Sequence, residues 1–362
     1  MQPLCHDDER LALLQFKESF IINKLASLGD PFAYPKVKSW TSKGESSDCC
    51  SWDGVECDET QVGNLSRLTY LNLSHSVLSG EIPFEVSKLF QLSTLDICCN
   101  DDFSSEKFSL QLKEMSLTSL VGNLTRIENL DVSGVSIIST VPNILANMTT
   151  LRSLYLHDCG MYGEFPIGIF KLPNLRVLDV KYNADLTTYW PDFQYWSSPL
   201  EELDLGATNF SGELPASMGN LKSLIALNMW GCNLSGSIPS SIGNLTNLIY
   251  LRLSNNSLAG NIPPSIGNLI QLGFLDLSSN QLNGPIPFEF ANLTQLIVLS
   301  LGSNRLTGLI PFGLANLTQL HTFSLLGNER GQPFSIWNLN ILDNNYHKCH
   351  DPNPNQGFRY MT

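Results

Sequence analysis

The sequence predicts an α/β fold wound as a right-handed solenoid with a parallel β-sheet along its concave side. Two observations carry that prediction. The triad L-x-x-L-x-L recurs eleven times, its middle position being Leu71, Leu95, Leu130, Leu154, Leu178, Leu203, Leu227, Leu251, Leu275, Leu299 and, as an aromatic replacement, Phe323. Successive middles lie 24 residues apart, except for one interval of 35 and one of 25. A period held across most of a chain marks stacked coils that bury a shared core.

The repeat itself dictates the coil. In Leu272-Gly-Phe-Leu275-Asp-Leu277-Ser-Ser-Asn280-Gln-Leu282-Asn-Gly284-Pro-Ile286-Pro287, alternation makes a short strand with Leu275 and Leu277 inward and Phe274, Asp276 and Ser278 outward. Asn280 then turns inward, where its amide pairs with backbone groups of adjacent coils that would otherwise be buried alone. Gly284 and Pro287 suit an extended convex return with few regular hydrogen bonds, and Ile286 adds an apolar group to the interior. Each buried aliphatic side chain contributes about 1.5 to 3 kcal/mol, but only when neighbouring coils cover both open faces, so one coil alone does not fold.

Ahead of the repeats, residues 8–28 read as an amphipathic helix over the first coil, with Leu11, Leu14, Phe16, Phe20 and Ile21 apolar and Asp7 placed as N-cap. Residues 1–62 are assigned to this cap, 63–328 to eleven repeats and 329–362 to an irregular tail without a recognisable C-terminal cap. The 35-residue interval carries an 11-residue excess near 98–110, around Cys98-Cys99-Asn100-Asp101-Asp102-Phe103, expected to bulge as a loop. Adjacent cysteines rarely bridge each other. Cys159 and Cys232 occupy the inward asparagine position, where buried free thiols are expected, and Cys349 receives no assignment.

Composition narrows the function classes. The 362 residues are 43% hydrophobic and 15% charged, which argues against disorder, and the net charge of −13 repels phosphate backbones, so nucleic acid is not an expected partner. Nine cysteines favour an oxidising compartment. No run approaches the roughly 18 apolar residues of a membrane-spanning helix, and Met1 to Glu9 lack the basic and apolar regions of a secretion signal.

The L-x-G-x-I-P segments Leu78-Ser-Gly80-Glu-Ile82-Pro83, Leu234-Ser-Gly236-Ser-Ile238-Pro239, Leu258-Ala-Gly260-Asn-Ile262-Pro263 and Leu306-Thr-Gly308-Leu-Ile310-Pro311 resemble the plant-specific class of extracellular leucine-rich repeat. The block containing Cys5, Asp7-Asp8-Glu9-Arg10-Leu11-Ala-Leu-Leu14 and Cys49-Cys50-Ser-Trp52-Asp-Gly54-Val-Glu-Cys57 is similar to the cap of plant receptor-like proteins and receptor-like kinases. The resemblance implies bridges Cys5 to Cys49 and Cys50 to Cys57, each contributing about 2 to 4 kcal/mol. It implies a plasma-membrane protein with one helix and no kinase, whose extracellular part recognises a peptide, protein or glycan and signals in defence through partner receptor kinases. The abrupt passage from Cys57 into the first triad, and the loss of the frame after Asn328, suggest a truncated copy of such a receptor. The rival readings are a soluble secreted inhibitor of cell-wall-degrading enzymes, resembling polygalacturonase inhibitors, and a non-functional truncated copy.

Catalysis finds no support: there is no G-x-S-x-G, H-E-x-x-H or G-x-x-x-x-G-K-S/T motif, and His347-x-x-His350 reads as incidental. No cofactor or metal is expected; a C-x6-C metal site at Cys50 and Cys57 has no histidine at useful spacing. Asp96, Asp131, Asp179, Asp204 and Asp276 recur at one strand position and make a discontinuous acidic row, better explained by the repeat consensus than by paired catalytic carboxylates. Binding fits better, because outward residues of a rigid sheet vary at little cost to the fold. The expected ligand-binding positions are Tyr155, His157, Asp158, Lys181, Tyr182, Trp230, Tyr250, Arg252 and Phe274, whose aromatic and cationic composition resembles an interaction hot spot. N-x-S/T sequons at Asn64, Asn72, Asn123, Asn147, Asn209, Asn233, Asn244, Asn255, Asn292 and Asn316 imply a secretory route, and a glycan on Asn72 would stand on the concave sheet. The convex aromatic stretch Tyr189 to Trp196 reads as packing.

Overall fold

The computed structural model describes residue 5 and residues 7–22, 33–42, 48–57, 68–82, 84–100, 110–112, 116–193 and 199–328. One twelve-stranded sheet runs the length of the solenoid. Its first strand, Val55–Cys57, pairs antiparallel with Leu68–Asn72, and every later neighbour is parallel. The middle leucines lie in register from Leu71 to Leu299, with Phe323 next. A single apolar core formed by the inward leucines follows this sheet.

Four residues after each middle position the chain takes a left-handed turn, at His75, Cys99, Gly134, Asp158, Tyr182, Ala207, Gly231, Asn255, Ser279, Ser303 and Gly327. That turn directs the next side chain into the interior. Asn183, at that inward position, accepts from the backbone N–H groups of Cys159 (3.2 Å) and Met161 (2.8 Å) and donates to the carbonyls of Leu156 (2.9 Å) and Val180 (2.8 Å). Asn100, Asn256, Asn280, Asn304 and Asn328 tie their coils to the preceding one in the same way. Cys159 and Cys232 are buried free thiols at equivalent places, their Sγ atoms donating to the carbonyls of Val132 (3.2 Å) and Leu205 (3.0 Å). Val135 is the one inward position in the series without a hydrogen-bonding side chain.

The convex return is more regular than the sequence suggests. Short second strands, such as Ala259–Asn261, Gln281–Gly284 and Arg305–Leu306, form their own parallel sheet, and each is followed by a 3-10 helix such as Pro264–Asn268 or Phe288–Asn292. Gly284 makes this possible: its φ is +72°, and a Cβ there would stand 2.5 Å from Asn261 Oδ1 of the preceding coil.

At the N-terminus the helix is shorter than expected. It spans Asp7–Ser19, and Phe20–Ile22 forms a strand antiparallel to Leu78–Glu81, because an aromatic and two β-branched residues find the open edge of the first convex strand. The buried face is Glu9, Leu13, Phe16 and Phe20 at helical spacing, so Leu11 is left outward, 53% exposed, and Leu14 is half-buried. Asp7 ion-pairs with Arg10 (2.6 Å) instead of capping. Glu9 Oε1 accepts the otherwise buried N–H of Leu68 (2.7 Å). Trp40 stacks on Trp52 (5.4 Å between ring centres), and the bridges Cys5–Cys49 and Cys50–Cys57 close the cap.

The excess in the second coil divides in two. Asn100 keeps its inward position, so the coil is in register until there. Leu110 then follows Leu95 by 15 residues, where the equivalent Leu282 follows Leu275 by 7, so the extra residues fall between Asn100 and Leu110. The rest is absorbed where the α-helix Leu117–Gly122 replaces the usual 3-10 helix. Cys98 and Cys99 are bridged to each other, contrary to the rule of thumb for adjacent cysteines, with Cys99 in the left-handed turn. Residues 23–32, 101–109 and 329–362, with Asn64, His347, His350 and Cys349, lie outside the described residues.

Two substitutions test the stacking. Asn183→Ala, which removes five inter- and intra-coil bonds, is expected to cost about 3 kcal/mol in urea unfolding. Gly243→Ala places a Cβ 2.3 Å from the carbonyl oxygen of Ser265 in the next coil and is expected to cost about 1 to 3 kcal/mol, whereas Gly122→Ala, with open space around it, is neutral or stabilising.

Candidate ligand-binding face

The strand register arranges the concave side chains in rows. One row, just before the middle leucines, runs Val177, Glu202, Ala226, Tyr250, Phe274 and Val298. The next, just after them, contains the aspartate row together with Asn72, Tyr155, Asn228 and Arg252. These aspartates are structural. The Oδ1 atoms of Asp131, Asp179, Asp204 and Asp276 accept the backbone N–H two residues onward, at Ser133, Lys181, Gly206 and Ser278, at 3.0 to 3.1 Å, fixing the chain as it enters the left-handed turn. Asp179, Asp204 and Asp276 are consequently buried rather than displayed.

Two cations bind the row together. Lys181 Nζ reaches Asp179 Oδ2 (2.6 Å) and Asp204 Oδ2 (3.3 Å) and is only 12% exposed; Arg252 Nε lies 3.4 Å from Asp276 Oδ2. Burial alone would lower the Lys181 ammonium, but Asp204 and Asp179 outweigh it and hold the group above the ordinary lysine range. Burial, then the charge of Asp179, pushes Asp204 up to about 6 against the pull of Lys181. Among the described residues no such cation reaches Asp131; burial and then Asp96 raise it to about 7. Glu202 is raised as well, by burial and then by Asp179, Glu201 and Asp204.

The expected binding residues fall into one cluster and an outlying group. The Arg252 guanidinium sits over the Trp230 ring (5.3 Å to its centre), the Tyr182 ring meets Trp230 edge-on (6.5 Å), and Tyr250 stacks flat on Phe274 (4.4 Å, 9° between planes). Burial pushes the Tyr250 hydroxyl up to about 12, against Arg252 beside it. Tyr155, His157 and Asp158 stand on the adjoining coil, Asp158 exposed in its turn. Tyr182 adopts φ +58°, a conformation that costs a bulky residue about 1 kcal/mol or more. Sequence reasoning passed over Glu202 and Asn228, although the position before each middle leucine identifies the first. Asn228 Nδ2 donates to Asp204 Oδ1 (2.9 Å).

On the convex side Phe193 is buried, and Trp190 packs against Phe210 (6.1 Å). An open depression of about 540 Å³ beside them is lined by Trp190, Pro191, Asp192, Pro215, Ala216, Ser217 and Asn220. Of the sequon asparagines, Asn123, Asn147, Asn233, Asn244, Asn255, Asn292 and Asn316 are exposed. Asn209 is half-buried and accepts from Asn233 (3.0 Å), and Asn72 donates to Asp96 (2.8 Å) within the concave face.

Comparison with known proteins agrees with this geometry. Residues 6–58 match the leucine rich repeat N-terminal domain, residues 231–343 the leucine-rich repeat region, and residues 67–89 and 199–221 the single leucine rich repeat. The chain is a leucine-rich repeat protein with the corresponding N-terminal cap, homologous to plant receptor-like proteins. It is 34% identical over 282 residues to Receptor-like protein 6 of Arabidopsis thaliana, covering 63% of this chain and 28% of that protein. It is 33% identical over 278 residues to Receptor-like protein Cf-9 of Solanum pimpinellifolium, covering 61% and 31%. The chain therefore spans less than a third of the curated relatives it matches. Among solved structures, the Arabidopsis receptor kinase HAESA, in complex with a peptide hormone and a co-receptor, aligns with a TM-score of 0.70 at 29% identity, over 89% of this chain and 54% of that one. The ectodomain of the Arabidopsis thaliana membrane receptor kinase GASSHO1, in complex with a Casparian strip integrity factor, aligns at 0.69 and 30% identity, over 88% and 35%. A plant ice-binding protein aligns at 0.65 and 29% identity, over 90% and 96%, so this coil also serves other kinds of recognition. No helix among the described residues is long and apolar enough to cross a membrane.

The electrostatics of the row predict two outcomes. Lys181→Met leaves Asp179 and Asp204 buried without their cation and is expected to cost about 3 kcal/mol near neutral pH, and less near pH 5, where the carboxyls can protonate. Asp131, raised to about 7, stabilises the fold fully below the ordinary aspartate value and loses that contribution as pH rises through 7. Asp131→Asn is therefore expected to flatten the fall of the urea midpoint between about pH 4 and pH 7.

Proposed function

We propose that the chain is the ligand-recognising part of a plant cell-surface receptor-like protein, which binds an extracellular peptide, protein or glycan on its concave face and performs no chemistry on it. Defence signalling through partner receptor kinases, plasma-membrane location, and glycosylation at the exposed sequons belong to the same reading. The observation that carries it is the joined cluster of Tyr182, Trp230, Arg252, Tyr250 and Phe274 on a sheet whose other outward positions are mostly polar. Aromatic and arginine side chains held rigid before binding lose little conformational freedom when a partner arrives, which is the usual composition of an interaction hot spot. The strained turn at Tyr182 supports it, since a glycine or asparagine would serve the coil at lower cost. The relatives are receptor-like proteins, and the structural neighbours include receptors bound to peptide ligands.

The test uses leaf cells producing the full-length product of the gene, challenged with extracellular wash fluid from infected leaves. Trp230→Ala with Arg252→Glu is expected to abolish the extracellular pH response while protein accumulation is unchanged. Tyr182→Gly, which relieves strain and so protects folding, is expected to reduce the response as well. An undiminished response in both variants overturns this reading of the face.

A further inference from the structure

The turns of the first two coils hold a group of side chains that the aromatic cluster does not use. His75 and Cys99 occupy the same left-handed turn in neighbouring coils, 24 residues apart, with φ of +51° and +59°. Cys98 precedes Cys99, and its carbonyl accepts the N–H of His75 (3.4 Å). A ring nitrogen of His75 and the Sγ atoms of Cys98 and Cys99 all lie within 4.8 Å of one another. Other coils make this turn with Gly134, Gly231 or Gly327, so the turn itself requires neither an imidazole nor a thiol.

The bridge between Cys98 and Cys99 is not a staple of the fold. A disulfide stabilises chiefly by closing a loop of the unfolded chain; this one has a sequence separation of 1, against 44 for Cys5–Cys49. The coil keeps its register through Asn100, which accepts from the N–H groups of Ser76 and Leu78 and donates to the carbonyl of Leu73. At the same two places the coil of Leu275 has Ser278 and Ser279. Cys98 is buried and Cys99 only half-buried, so an attacking thiol meets Cys99 first. Carboxylate oxygens of Asp96 and Asp131 lie within 4.8 Å of the Cys98 sulfur, and Lys36, held on Asn72 (2.8 Å), partly offsets Asp96. These surroundings suit a cation better than an anion.

We propose that His75, Cys98 and Cys99 form a redox-gated site for Zn²⁺, closed while the two sulfurs are bonded to each other and opened by a low-molecular-weight thiol. Two molecules of that thiol break the S–S bond, leaving both cysteines as thiols and the reductant as its own disulfide. Zn²⁺ then displaces the two thiol protons and takes two thiolates and the neutral imidazole, with a fourth position for water. Thiolate and imidazole donors select zinc over the calcium or magnesium that carboxylates alone would take. The bridge ties Cys99 only to its neighbour in the chain, whereas the ion ties the first coil to the second.

The test is calorimetric titration of the secreted chain with Zn²⁺, and with Cd²⁺ for its thiolate charge-transfer absorption, before and after mild reduction by a water-soluble phosphine, which leaves as its oxide. Alkylation and mass spectrometry record which cysteines are reduced. One Zn²⁺ is expected to bind only after reduction, and to protect Cys98 and Cys99 from alkylation. Cys98→Ser with Cys99→Ser, the pair that the coil of Leu275 carries, should abolish binding. His75→Asn, which suits a left-handed turn, should weaken it about ten-fold or more. Zn²⁺ bound undiminished by the double variant belongs to reduced cap cysteines and overturns the assignment. Equal binding before reduction places the ion on the carboxylates and overturns the thiolate site. A pair that stays bonded while Cys50–Cys57 is reduced overturns the gate, unchanged affinity in His75→Asn overturns the ligand set, and a reduced pair that takes no Zn²⁺ overturns the proposal outright.

Discussion

The structure depends on one constraint: a coil that turns its backbone into an apolar interior must find partners there for groups that water cannot reach. Asn183 and its equivalents meet that constraint across the boundary between coils, bonding to N–H groups of one coil and carbonyls of two. An unpaired buried backbone group costs about 1 to 3 kcal/mol, so the inward side chain influences each junction as much as the leucines do. Where it is Cys159 or Cys232 the same carbonyls are met by a weaker donor, and where it is Val135 by none. The consequence is that coils are stable only in company, and their number and register are set by chemistry repeated every 24 residues.

The first coil has no predecessor, and the cap replaces one. The antiparallel strand Val55–Cys57 continues the sheet, and Glu9 accepts the N–H of Leu68, whose equivalents in later coils, such as Leu272, donate to the carbonyl three residues earlier. The segment Phe20–Ile22 does the same for the convex edge. Gly54 fits this junction because a Cβ there would stand 2.0 Å from the carbonyl oxygen of Asn72. The two disulfides hold this arrangement in a region whose core is small, centred on Phe16, Trp40 and Trp52.

The concave sheet, the inward asparagines and the cap were legible in the sequence because each rests on local, repeated chemistry. Features that depend on long-range pairing were not. Phe20-Ile21-Ile22 continues a helical pattern until the edge of Leu78–Glu81 is available to it, and the convex strands have too few residues per coil to show alternation. The split of the insertion around Leu110 is invisible until that leucine is seen opposite Gly80. On the concave face, the sequence singles out individual residues but not their mutual engagement. The contact of Arg252 with Trp230, the stack of Tyr250 on Phe274 and the placement of Lys181 between two aspartates require neighbouring coils to be in register.

That engagement separates scaffold from specificity more finely than inward against outward. The row of Asp179, Asp204 and Asp276 points outward, yet it belongs to the scaffold, because its carboxylates fix the entry to the turns of their own coils and are screened by their neighbours. Lys181 belongs with it, since removing its charge would unbalance two buried acids. The positions before the middle leucine and at the turn carry no such duty. Glu202, Tyr250 and Phe274 in the first, and Asp158 and Tyr182 in the second, vary among the coils without disturbing the bonds between them. A surface built this way can change its partner while keeping its coil, provided the change falls on these two rows and leaves the aspartates between them in place.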